Sequence, residues 1–116
     1  MANFVTCKVL QPTGILTAST STGLNQEVQS CLENATRTIL IDLQAVDFID
    51  SSGLGVLVSM HTKLRLAGGK LYFCSPQDQA RNLFRIADME QIFTVFATRE
   101  AFENAIVKKN PTVLVQ

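Results

Sequence analysis

A compact apolar run, Ile39-Leu40-Ile41-Asp42-Leu43, stands shortly before Asp50-Ser51-Ser52-Gly53, where a long helical pattern begins. No other feature constrains the fold as tightly. By the two-residue alternation of a strand, Ile39, Ile41 and Leu43 share one wholly apolar face, which must be covered. The pattern that follows supplies a cover. At about 100° per residue, Val56, Leu57, Met60, Leu64 and Ala67 gather in one sector of a helix expected over 52–67. Leu54 and Val58 fall outside that sector, alongside Arg65, as a small candidate contact patch next to the serines.

The rest of the chain continues the alternation. Phe4 to Leu10 and Ile15 to Ala18 read as short strands joined through Gln11-Pro12-Thr13-Gly14, which predicts an antiparallel hairpin. Gly23 opens a helix with Leu24, Val28, Cys31, Leu32 and Ala35 on one stripe. The 52–67 helix stops at Gly68-Gly69, and Leu71 to Cys74 is a buried strand by content. Ser75-Pro76 and Asp78 start a helix whose stripe is Ala80, Leu83, Phe84 and Ala87. Ile92 to Phe96 reads as a strand, and Thr98 caps a last helix that turns Phe102, Ala105 and Ile106 inward. The tail from Asn110 to Gln116 either adds an edge strand or hangs free; both readings stay open. The expected fold is a single α/β domain over 1–116, its core at about 4–108 and its tail at 109–116. It has a mixed, mostly parallel sheet of four to five strands and four helices, in the order ββαβαβαβα. Partners of such sheets meet the carboxyl ends of the strands, where the Asp50-Ser51-Ser52 turn is expected.

Bulk properties narrow the function. Ten basic residues balance ten acidic ones, so neither nucleic acid nor an anionic membrane is indicated as a direct partner. The N-terminus lacks a signal-peptide pattern, and the apolar runs are too short to span a bilayer. Cys7, Cys31 and Cys74 are widely spaced within apolar patterns and contain no C-x-x-C. They read as small core residues in a reducing compartment, with no disulfide framework, metal site or cofactor. The expectation is a soluble, cytoplasmic, free-standing domain.

The serine pair admits several roles. Ser, Thr, Asp and Asn are preferred at helix starts, so Ser51 and Ser52 could serve simply as caps. Nucleophilic catalysis needs a nearby base, but the single histidine, His61, lies ten positions along the same helix, roughly 15 Å away. G-x-S-x-G is absent as well, so the chain is not expected to be an enzyme. Phosphate or nucleotide binding at the helix start is a further possibility, though Gly53-Leu54-Gly55 lacks a third glycine and Asp47 and Asp50 repel anions. Lastly, Ser51 or Ser52 could accept a phosphoryl group from another protein. That adds about −1.5 to −2 charge without unfolding the helix, yet opposes docking beside Asp50.

The element order, together with Ile41-Asp42-Leu43 and Val46-Asp47-Phe48-Ile49-Asp50-Ser51-Ser52-Gly53-Leu54-Gly55, resembles the STAS domain. More narrowly it looks like the anti-sigma factor antagonists, with Gly68-Gly69-Lys70-Leu71, Leu83-Phe84 and Met89 also matching. The similarity runs from about Val5 to Lys108. It implies partner switching: the unmodified antagonist binds a kinase-type anti-sigma factor, phosphorylation releases it, and a protein phosphatase reverses the change. Carried over by position, the acceptor is Ser51, with Asp50, Ser52, Gly53, Leu54 and Val58 in the partner-binding surface. One departure is visible. Many family members carry an acid after the second strand, where this chain has the hydroxyl-rich Leu16-Thr17-Ala18-Ser19-Thr20-Ser21-Thr22-Gly23. Two alternatives remain beside the switch: a non-phosphorylated STAS interaction module for another partner, or a small nucleotide- or anion-binding domain.

Overall fold

The computed structural model describes residues 5–110 and 112–116. Strands β1 (Val5–Leu10), β3 (Thr38–Asp42), β5 (Lys70–Cys74), β6 (Thr94–Phe96) and β7 (Val113–Val115) form a five-stranded sheet in the order β6-β5-β3-β1-β7. Helices α1 (Thr22–Glu33), α2 (Ser51–Leu66), α3 (Asp78–Ile86) and α4 (Arg99–Phe102) complete the α/β domain, α4 widening into a π-helical turn at Glu103–Val107.

Alternation along the central strands divides the core between the two faces. Ile39, Ile41, Leu71 and Phe73 point to one face, where α1 contributes Leu24 and Val28, α2 contributes Leu57, Met60 and Leu64, and α3 contributes Phe84. Leu40, Tyr72, Cys7 and Cys74 point to the other and meet Phe102 of α4. Phe73, Phe84 and Phe93 form a ring cluster with centroids 4.6–5.8 Å apart, worth about 0.5–1.5 kcal/mol per pair beyond area burial. All three cysteines are buried and free, as their apolar setting predicts. Burial pushes the Cys7 thiol up to about 11 and raises Cys31 and Cys74, so none is a thiolate at neutral pH.

The predicted hairpin does not form. β2 (Gly14–Leu16) leaves β1 and pairs in parallel with β4 (Val46–Ile49) in a separate two-stranded sheet. Both edges of β1 are already taken, by β3 on one side and by β7 on the other. The tail is thus an edge strand, locked further by Val9 N–H to Gln116 O and Gln116 N–H to Cys7 O, both 2.8 Å. With the hairpin gone, every strand pairing among the described residues is parallel. β1 and β3 run side by side, so their extensions β2 and β4 leave the sheet together and pair in the same sense.

Helix α2 ends as its glycines predict. Gly68 takes φ +79, Gly69 N–H reaches Leu64 O at 2.7 Å, and Gly68 N–H reaches Arg65 O at 3.1 Å. That is a Schellman closure, which needs a left-handed residue.

Candidate functional site

The two-stranded sheet β2–β4 delivers the chain to the serine turn. Leu16 and Ile49 end the two strands in register, and both are buried. Gln79 of α3 fixes the outer edge of β4: Ile49 N–H donates to its Oε1 at 2.8 Å, and its Nε2 donates to Ile49 O at 2.9 Å. A side-chain amide here replaces a missing strand. On the inner edge, Asp50 N–H donates to Leu16 O at 3.2 Å.

The helix cap is Asp50, one position ahead of the serines to which the composition also allowed that role. Its backbone is extended, with φ −89 and ψ 178, and its Oδ1 accepts from Gly53 N–H at 2.7 Å. The same oxygen accepts from Ser52 Oγ at 2.7 Å. The acid takes this role because β4 ends at Ile49 and Ser51 is already helical, so the capping position falls on Asp50. The Gly53 N–H, then the Ser52 hydroxyl, hold the Asp50 carboxyl below its ordinary range.

The two serines differ in circumstance. Ser52 Oγ donates to Asp50 and accepts from Ala18 N–H at 3.0 Å. Ser51 occupies the first helical position, is exposed, and its hydroxyl makes no hydrogen bond among the described residues. Gly53 is buried because the Leu16 carbonyl lies where a side chain would start; a Cβ there would sit 2.2 Å from Leu16 O. Gly55 has open space instead, with nothing within 4 Å of a Cβ.

Around this turn, Leu54 and Val58 are half-buried and pack against the core cluster. More exposed apolar surface lies on the small sheet, where Ile15 and Phe48 are direct register partners at 55% and 46% exposure. The hydroxyl-rich loop closes on itself. Thr17 N–H donates to Thr20 Oγ1 at 2.8 Å, Thr20 N–H returns to Thr17 Oγ1 at 3.1 Å, Thr22 Oγ1 donates to Ser19 O, and Ser21 Oγ donates to Thr17 O. His61 is half-buried, its ring 5.7 Å from that of Phe93, so it flanks the core. Among the described residues no group of three or more His, Cys, Asp and Glu could hold a metal ion, and no helix is long and apolar enough to cross a membrane.

Sequence reasoning missed β4 itself and Gln79. Asp47 and the exposed Phe48 break the apolar signature of a strand in β4. Gln79 lies thirty positions from its partner Ile49, a separation that only the fold closes.

Four helices on a parallel five-stranded sheet give this chain the fold of a STAS domain. A model of that domain matches residues 4–102, and the chain belongs to the STAS domain family. Over 88 residues, 76% of either chain, it is 30% identical to a protein of Bordetella bronchiseptica provisionally named as the anti-sigma factor antagonist BtrV. The anti-sigma factor antagonist resemblance read from residues 41–55 stands with that relative. The fold also matches TM1081 of Thermotoga maritima, a protein provisionally described as an anti-sigma factor antagonist. The TM-score is 0.77 at 21% identity, over 84% of this chain and 85% of that one. It matches the anti-sigma factor antagonist SpoIIAA in its unphosphorylated form too, with TM-score 0.67 at 21% identity over 94% and 93%. Against the phosphorylated form of Bacillus SpoIIAA the TM-score is 0.66 at 19% identity, over 84% and 88%.

Proposed function

We propose that this chain is an anti-sigma factor antagonist that works by partner switching, a binding regulator and not a catalyst. With Ser51 free it binds a kinase-type anti-sigma factor in the cytoplasm. That partner transfers the γ-phosphoryl group of ATP to Ser51 Oγ, releasing ADP and the hydroxyl proton; the complex parts, and a protein phosphatase hydrolyses the phosphoester with water to restore the free hydroxyl. The observation that carries the reading is the contrast between the serines: Ser51 is exposed and unengaged, while Ser52 is tied on both sides.

Physical chemistry supports each half of the cycle. At the first helical position a phosphate meets the positive end of α2, so the modified protein stays folded. In a docked complex the same charge must be desolvated beside the ionised Asp50, and like charges facing across an interface cost several kcal/mol. About 5.5 kcal/mol carries an equilibrium from 99:1 to 1:99. Asp50, Ser52, Leu54 and Val58 form the neighbourhood of the contact, with Gly53 buried among them against the Leu16 carbonyl, and the exposed Ile15 and Phe48 extend it.

Incubation with the anti-sigma factor kinase of the same genome and ATP, followed by peptide mass spectrometry, tests the site. Phosphate on Ser51 is expected; phosphate confined to other residues rejects it. One observation favours a second reading, an interaction module that docks without phosphorylation. The Ile15–Phe48 pair offers apolar surface whatever the state of Ser51. Ile15→Ser with Phe48→Ser abolishing binding, while Ser51→Glu leaves it intact, would select that module. Nucleotide or anion binding at the helix start has little support, since Asp50 already takes the Gly53 N–H that an anion needs.

A further inference from the structure

The loop over 17–22 spends most of its hydroxyls on its own backbone, and among the described residues one hydrogen bond links it to α2. That bond runs from Ala18 N–H to Ser52 Oγ. The Ser52 hydroxyl carries a single proton, and Asp50 Oδ1 takes it at 2.7 Å, which aims a lone pair of the same oxygen at Ala18. Gly53 N–H holds that carboxylate oxygen from a second direction, also at 2.7 Å. The relay therefore runs from the loop through one hydroxyl to the helix cap, with every donor and acceptor fixed. Beside it, Leu16 O accepts from Asp50 N–H and fills the space left by the absent Gly53 side chain. Leu16 to Ala18 and Asp50 to Gly53 are thus joined at two points, one backbone and one side chain. The loop in turn forms a wall of a groove of about 270 Å³, lined by Ala18, Thr22 and Asn25 on one side and Val56 and Lys63 of α2 on the other.

We propose that Ser52 is the positioning residue of this site: its hydroxyl clamps the 17–22 loop to the start of α2 and so holds the surface flanking Ser51 in one shape. The serine pair then divides the labour. Ser51 is free to react, whereas phosphorylation of Ser52 would remove the proton it donates to Asp50 and displace the oxygen that Ala18 N–H reaches. The clamp rests on the partner-switching reading only for its purpose, since the surface it holds is the one a kinase-type partner meets; the clamp itself is a property of the isolated chain.

Amide exchange followed by nuclear magnetic resonance on the full chain tests it, with Ser52→Ala, Ser52→Thr and Ser51→Ala compared. Ala18 is an exposed loop residue whose amide is protected by this one bond. Ser52→Ala is expected to speed its exchange about fivefold or more, the weight of one ordinary hydrogen bond. The amide of Phe73, in the central sheet, serves as the reference for global opening and is expected to change less. Ser52→Thr, which keeps the hydroxyl, restores Ala18 protection, and Ser51→Ala leaves it untouched. Unchanged Ala18 exchange in Ser52→Ala, equal acceleration at Ala18 and Phe73, failure of threonine to rescue, or the same effect from Ser51→Ala would each overturn the clamp. Absence of phosphate on Ser51 would instead sink the partner-switching reading and leave these exchange rates as they are.

Discussion

Two glycines, two positions apart on the same helix, should respond oppositely to the same substitution. A Cβ on Gly53 would lie 2.2 Å from the Leu16 carbonyl oxygen and 2.7 Å from its carbon. Ordinary contact begins near about 3.5 Å, so α2 or the end of β2 must retreat by roughly 1 Å. Both contacts are backbone, with no flexible side chain to swing aside. Overpacking of this kind costs about 1–3 kcal/mol. The retreat also pulls on the Asp50 N–H to Leu16 O bond and on the Asp50 cap, and a lost cap costs about 1 kcal/mol. Alanine returns about 1 kcal/mol in helix propensity. Gly53→Ala is therefore destabilising by about 2 kcal/mol. Gly55→Ala meets nothing within 4 Å and keeps the propensity gain, stabilising the protein by about 0.5–1 kcal/mol. Urea unfolding followed by circular dichroism reads both as shifts in midpoint at a common slope; with slopes of about 1–3 kcal/mol/M, the Gly53→Ala midpoint falls by about 1 M. If both variants gain stability, the Leu16 carbonyl does not close on Gly53.

Three further outcomes follow from the same geometry. Ala35 closes α1 with φ +61, a left-handed conformation that glycine adopts without strain, so Ala35→Gly should raise stability by about 0.5–1 kcal/mol in the same urea assay. Gln79→Ala leaves Ile49 N–H and C=O without their partner and should cost about 2 kcal/mol, whereas Arg81→Ala on the exposed face of α3 changes little. The Asp50 carboxyl is held low by Gly53 N–H and Ser52 O–H, so its titration midpoint by nuclear magnetic resonance should fall below the ordinary 3.8 and rise in Ser52→Ala. For such a depressed acid the stabilisation is complete above that ordinary value, which the unfolded chain keeps, and is lost as pH falls through the folded one. The cap therefore weakens only in acid, and a midpoint at or above the ordinary value would contradict its bonding.

The main sheet and helices were legible because their signals are local and periodic. Ile39 and Ile41 on one face and the Leu57-Met60-Leu64 stripe of α2 need only the alternation of a strand and the pitch of a helix. The STAS resemblance rested likewise on a contiguous run around Asp50-Ser51-Ser52-Gly53. What stayed hidden depends on distant pairings. Residues 11–14 look like a hairpin turn because nothing local records that Val113–Val115 already fills the far edge of β1. Leu54 and Val58 lie outside the central apolar sector of α2, yet both are partly covered by neighbours the helix pattern does not include. The cap falls on Asp50 because β4 ends at Ile49 and α2 begins at Ser51, a boundary that composition leaves open. Ser52 could be separated from Ser51 only once Ala18 was seen beneath it.

The most direct measurement compares one protein in two chemical states. Stoichiometrically Ser51-phosphorylated and unmodified protein should be titrated by calorimetry against the anti-sigma factor kinase of the same genome, at fixed ionic strength. A loss of affinity of at least about a hundredfold on phosphorylation, with the phosphorylated protein still fully folded, is the predicted result. Equal affinity of the two forms would contradict a charge switch at Ser51.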